Sequence, residues 1–147
     1  MPYEFKAVRR VEFSETDMVG IVHFSNFFRY MEVAEHGFYR SLGFSVVMNQ
    51  FDPPVGFPRV NAQCDYRQPL RFEDEVEIHL LVAQKKPRVL TYQFRFRKVT
   101  GGASIEVARG SLTVVCVTRQ EDGRMAATTI PEPFAAQVEV APPELLA

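Results

Sequence analysis

The stretch SETDMVGIVHFSNFFRYMEVAEHGFYRSLG, residues 14–43, joins a compact polar loop to a strongly patterned helix. At about 100° per residue, Phe27, Met31, Ala34, Phe38 and Leu42 fall within one narrow stripe, with Arg29, Glu32, His36 and Arg40 on the opposite side. Glu35 lies at the edge of the stripe. Ser25 or Asn26 can cap the helix, and Gly43 can end it in the left-handed conformation open to glycine, so the spacing predicts a helix over 26–42. Such a helix is more apolar than a solvent-facing one needs to be. Ala34 and Gly37 leave room for the close approach of another backbone, as a helix pressed against a sheet requires.

Strand patterns flank the helix. In residues 3–13, Tyr3, Phe5, Ala7, Val11 and Phe13 share one parity, interrupted by Arg9, which predicts a half-buried strand. Residues 44–58 carry three prolines and no sustained period, and read as a loop able to lie over a pocket. Four strands follow. Val60, Ala62, Cys64 and Tyr66 alternate with polar residues; Val76, Ile78, Leu80 and Val82 alternate with Glu75, Glu77, His79 and Leu81. After the turn QKKPR, Leu90, Tyr92, Phe94 and Phe96 repeat the period, and TGG at 100–102 turns the chain into a last strand through Val117. This order predicts an α+β fold in which one antiparallel sheet of about five strands wraps around a single long helix. The expected division is a domain over 1–120 and a loosely ordered tail over 121–147, rich in Ala, Pro and Glu.

Composition narrows the function. A chain of 147 residues with 46% hydrophobic residues builds one sizeable core and leaves little for a second. The net charge of -1 argues against a general nucleic-acid binder. The N-terminus lacks the apolar run of a signal peptide and no segment has the length of a membrane span, so the expectation is a cytoplasmic protein. Cys64 and Cys116 sit on apolar parities and read as buried free thiols. Three scattered histidines form no metal-ligand spacing, and no metal or cofactor is expected.

Asp17 follows the first strand, Gly20 lets the chain turn or approach a ligand closely, and His23 stands out among apolar neighbours. From Phe24 to Phe27 the chain enters the helix, where the first amides lack intrahelical acceptors and the positive end of the macrodipole gathers. A carboxylate facing free amides suits acyl transfer: the amides can stabilise an oxyanion while Asp17 attacks or activates water. The same residues also read blandly, as a capping aspartate, a turn glycine and a packed or surface histidine.

The run VEFSETDMVGIVHFSNFFRYMEVAEHGFYRSLG resembles the hot-dog-fold acyl-CoA thioesterases of the 4-hydroxybenzoyl-CoA thioesterase type. The hallmark positions of that family hold Phe13, Thr16, Asp17, Gly20, Ile21, Val22, Phe24 and Asn26 here, followed by Glu32, Val33 and Ala34. CDYRQPLRFEDEVEI looks like the second strand of the family and its proline turn. The resemblance, over about residues 5–118, implies a hot-dog fold and hydrolysis of an acyl-CoA thioester to free acid and CoA. It implies Asp17 as nucleophile or general base and the Phe24 amide as oxyanion donor. It also implies a homodimer or a dimer of dimers.

In the branch resembling Tol-Pal-associated thioesterases a histidine stands at the place of Phe24, one position after His23, so His23 is a weaker match and its contact with substrate stays open. Another branch uses a helix carboxylate, but the Asp17 motif makes Glu35 a structural residue. Phe27, Phe28, Tyr30, Met31 and the 44–58 loop can line an acyl site or serve as core. The CoA phosphates call for local cations, and Lys85, Lys86 and Arg88 at a hairpin are the candidates. Two competing functions share these residues: a hot-dog dehydratase or hydratase using Asp17 and His23, and a noncatalytic acyl-CoA-binding protein.

Overall fold

A computed structural model describes residues 2–147. In chain order the elements are β1 (Glu4–Arg10), α1 (Asn26–Ser41), β2 (Val55–Gly56), β3 (Arg59–Tyr66), β4 (Glu75–Lys85), β5 (Val89–Lys98), β6 (Ile105–Val115), β7 (Val117–Arg119), β8 (Met125–Ala127), α2 (Glu132–Ala135) and α3 (Pro143–Leu146). Five strands form one antiparallel sheet in the order β1-β4-β5-β6-β3, and β2, β7 and β8 form a small second sheet. The sheet wraps around α1 in the hot-dog arrangement, so the expected fold class holds.

Two glycines let helix and sheet meet. Gly37 of α1 faces the Phe5 ring of β1, and Gly110 of β6 faces the end of the Met31 side chain. A Cβ at either place would overlap its neighbour. Close approach was expected at Gly37, but an aromatic ring rather than a backbone fills the space. The helix stripe is buried as read, with Phe27, Met31, Ala34 and Phe38 each at most 4% exposed, and Gly43 ends the helix at φ +88°. Register shifts in the β3/β6, β4/β5 and β5/β6 pairings supply the local twist that curves the sheet.

Several expectations need correction. Phe13 is 75% exposed, because the strand stops at Arg10 and a short 3₁₀ turn, Phe13–Glu15, carries this residue off the sheet. Val60 and Tyr66 are 61% and 45% exposed despite their apolar parity; β3 is an edge strand paired only with β6. Cys64 beside them is half-buried, whereas Cys116 is fully buried, and both thiols are free. The last strand ends at Val115, since the chain crosses there into the small sheet.

The 44–58 loop packs away from Asp17, with Met48 and Phe57 in the core and Phe44 edge-on to Phe134. The tail is not loose. Ile130, Phe134, Val138 and Ala141 are buried, and the Ala141 amide donates to the Val82 carbonyl at 2.9 Å, which explains the burial of Leu81 on the outward parity of β4. Apolar residues spaced among prolines and alanines lack a helix or strand period, so their shared destination is invisible locally. No helix among the described residues is long and apolar enough to cross a membrane.

Candidate active site

The loop between β1 and α1 is a tight, cross-braced turn. Glu12 and Glu15 form a reciprocal capping box around the 3₁₀ turn, with the Glu12 amide donating to Glu15 Oε1 at 2.8 Å. Beyond it, Thr16 and Val22 pair as an isolated antiparallel bridge, and the Asp17 amide donates to the Ile21 carbonyl at 2.9 Å. Gly20 closes this turn at φ +87°, a region where a side chain would be strained. The Asp17 carboxylate braces the turn from within: Oδ1 accepts the Val19 amide at 2.9 Å and the Ile21 amide at 3.4 Å. Oδ2 has no hydrogen-bond partner among the described residues.

Glu15 ties this loop to the helix. Its carbonyl accepts the Asn26 side-chain amide at 2.8 Å and the His23 amide at 2.9 Å. Its carboxylate accepts the Tyr30 hydroxyl at 2.9 Å and pairs with Arg9 at 3.4 Å. Burial, reinforced by Glu15, pushes the Tyr30 phenol well above its ordinary pKa, so it stays a donor. The residues just before Asp17 are thus tied, through Glu15, to β1 and to the first turn of α1.

At the helix start each amide but one is occupied. The Asn26 amide donates to the His23 carbonyl at 2.9 Å, Phe27 to Phe24 at 3.3 Å and Phe28 to Ser25 at 3.2 Å. The Ser25 hydroxyl does not cap the helix as expected. The His23 ring stands there instead, with Nδ1 accepting the Ser25 amide at 3.3 Å and lying 2.7 Å from Ser25 Oγ. The Phe24 N–H alone has no acceptor among the described residues.

Asp17, Phe24 and Phe27 line one cavity of about 690 Å³, together with Ile21, Val22, Tyr66 and the segment Arg67–Arg71. Three of its lining residues are aromatic, Phe24, Phe27 and Tyr66, with Phe27 meeting Tyr66 edge-on at 5.1 Å and, behind the wall, Phe96 at 5.2 Å. Charge sits at its edge, where Arg67 pairs with Glu106 at 2.7 Å and the Arg71 side chain has no carboxylate partner among the described residues.

Not every candidate residue gathers here. His23 is exposed, lies tilted against Phe24 with ring centroids 4.5 Å apart, and is absent from the cavity wall. Lys85, Lys86 and Arg88 lie at the far end of β4, roughly 30 Å along the strand from its Glu75 end, which adjoins the loop after β1. The Lys85 ammonium donates to the Ala135 and Val138 carbonyls at 2.6 and 2.9 Å, holding down the tail. Glu35 is fully buried against Arg59, with Glu32 and His36 close by. Desolvation raises its pKa, opposed by Arg59.

The family model described as the thioesterase-like superfamily matches residues 11–138, nearly the whole chain and the whole of this site. The chain belongs to that superfamily. This thioesterase is similar to a 1,4-dihydroxy-2-naphthoyl-CoA hydrolase of Synechococcus sp. (strain CC9311), 27% identical over 86% of this chain and 83% of that protein. A solved gentisyl-coenzyme A thioesterase is 29% identical with a TM-score of 0.75, covering 91% of this chain and 99% of that one. In fold alone, it also matches 4-hydroxybenzoyl-CoA thioesterase solved with 4-hydroxybenzoyl-CoA, at a TM-score of 0.83 and 18% identity over 93% of this chain and 99% of that one.

The sequence reading missed the second wall of the thioesterase cavity, Tyr66 to Arg71, and the Glu15–Asn26–Tyr30 brace. The Glu12-x-x-Glu15 spacing was a local signal for the brace. Nothing local marks Tyr66, whose place depends on a contact 42 residues away in sequence.

Proposed function

We propose that this thioesterase hydrolyses the CoA thioester of an aromatic acid, with Asp17 as the reacting carboxylate and the Phe24 amide as oxyanion donor. One observation carries the proposal: Asp17, whose carboxylate keeps one oxygen without a partner, and Phe24, whose helix-start N–H is unpaired among the described residues, line the same cavity. Asp17 either attacks the thioester carbon itself, giving an anhydride that water then cleaves, or takes a proton from a water that attacks. In both routes the carbonyl electron pair moves onto oxygen, where the Phe24 N–H and the helix dipole receive it, and the collapsing intermediate expels the CoA thiolate. Loss of one such donor typically costs about 3 kcal/mol of transition-state stabilisation.

The aromatic acyl group is supported by the Phe27, Tyr66 and Phe24 walls and by relatives that act on 1,4-dihydroxy-2-naphthoyl-CoA and gentisyl-CoA. A homodimer is part of the same proposal, supported by the unpaired edge of β3 and its exposed Val60 and Tyr66. Release of free thiol from benzoyl-, hydroxybenzoyl-, hydroxynaphthoyl- and fatty acyl-CoA esters tests the reading. Wild-type protein should favour the aryl esters, and Asp17→Asn should lose at least about a hundredfold in kcat, in the range of removed acid–base groups. Unchanged turnover by Asp17→Asn would remove this residue from the chemistry.

A further inference from the structure

We infer that Tyr66 is a positioning residue for hydrolysis, its hydroxyl holding the residue-24 backbone, and with it the Phe24 N–H, in place at the cavity wall. The inference rests on the reading of Phe24 as the oxyanion donor and adds a residue that neither the local motif nor the family match assigns. Tyr66 ends β3, and its Oη donates to the Phe24 carbonyl at 3.0 Å. Among the described residues that carbonyl otherwise receives only the long 3.3 Å bond from the Phe27 amide. Phe24 lies just outside α1 and is 62% exposed as a residue, and so side-chain packing does little to fix its backbone. The neighbouring backbone groups are held from other directions, His23 N–H by the Glu15 carbonyl and Val22 N–H by the Leu70 carbonyl at 2.8 Å. Tyr66 is the tie from the sheet to residue 24 itself.

The hydroxyl and the ring of Tyr66 do separable things. The ring forms cavity wall and meets Phe27 edge-on, a contact that phenylalanine keeps. The hydroxyl alone restrains the peptide unit that follows the free N–H. Burial first, then the nearby Cys64 thiol, pushes the phenol up to about 12, so it remains a donor throughout the working pH range. An amide that must meet an oxyanion within a few tenths of an ångström loses rate when its backbone swings, even where substrate still binds.

The test is Tyr66→Phe beside Asp17→Asn, assayed on the best aryl-CoA ester for kcat and KM separately. Tyr66→Phe should fold with an unchanged melting temperature, lose about tenfold in kcat and keep KM within about twofold, the pattern of a contact expressed in the transition state. Difluorotyrosine at position 66, which keeps the ring and strengthens the donor, should restore kcat. Wild-type kcat in Tyr66→Phe, or a loss confined to KM, overturns the role of Tyr66. The two failures are distinguishable: an inactive Asp17→Asn with a fully active Tyr66→Phe sinks this inference and leaves the Asp17 chemistry standing, whereas an active Asp17→Asn sinks the proposed hydrolysis at this cavity, on which the roles of Phe24 and Tyr66 both depend.

Discussion

Replacing Arg59 by Met should destabilise the protein mainly through Glu35. The Glu35 side chain is fully buried, and its carboxylate is held by two Arg59 nitrogens, with His36 at 3.8 Å as a further neighbour. Burial lowers the His36 pKa, so that ring is a poor substitute cation at neutral pH. Removing one partner of a buried pair costs about 3–5 kcal/mol. Arg59 is 30% exposed, so solvent already screens the pair and the lower figure of about 3 kcal/mol applies. For a chain of this size that is roughly 6–12 °C in melting temperature.

The sign of the pH dependence follows from Glu35. Its folded pKa lies above the unfolded value, so protonation favours the folded state; that contribution is complete below the unfolded value and is lost as pH rises through the folded one. Without Arg59 the carboxyl rises further. The deficit of Arg59→Met relative to wild type should therefore shrink as pH falls from about 7.5 to about 5, and Glu35→Met with Arg59→Met should recover most of the stability. Thermal denaturation of the three proteins at both pH values measures this, and turnover in the double variant should stay near wild type if Glu35 is structural. An Arg59→Met deficit below about 2 °C, or one equal at the two pH values, would refute the reasoning.

The buried His79 acts in the opposite sense. Arg97 donates to Nδ1 at 3.3 Å and Nε2 faces Glu4 at 3.1 Å, while burial foremost, then Lys6 and Arg97, hold its pKa low against Glu4. Its contribution to stability is present above the ordinary histidine value and is lost as pH falls through the lowered one, so His79→Gln should flatten that fall by up to about 1.4 kcal/mol per pH unit. Denaturant titrations from about pH 7 to 5 check this, and parallel curves for the two proteins would exclude it. Phe134→Ala should cost about 3–5 kcal/mol, because this tail residue is fully buried against Tyr39, Phe44 and Phe57. A chemical-denaturation midpoint equal to that of wild type would mean that the tail contributes nothing to the core.

The sequence by itself determined the elements with a strong period, α1, β4 and β5, and with them a sheet wrapped around one helix; the hot-dog family was legible in the motif around Asp17. Their periods survive because each buries one face along its whole length, so every second or every third-to-fourth residue meets the same core. The turn at Gly20 and the helix start were legible for a related reason, since positive φ and unsatisfied amides are local properties.

Only the tertiary structure decided which residues share the cavity. Tyr66 meets Phe24 through the pairing of strands far apart in the chain, and Arg67 to Arg71 become a wall because β3 is the last strand at the sheet edge. Lys85 looked like part of a basic hairpin cluster and became an anchor for the tail, because the carbonyls of 135 and 138 arrive from a segment with no period of its own. Glu35 sat at the edge of the helix stripe, and only the return of the chain at Arg59 made its burial tolerable. A residue type carries its preferences locally, but the partner that satisfies a charge or aims an amide is chosen by the path of the chain in space.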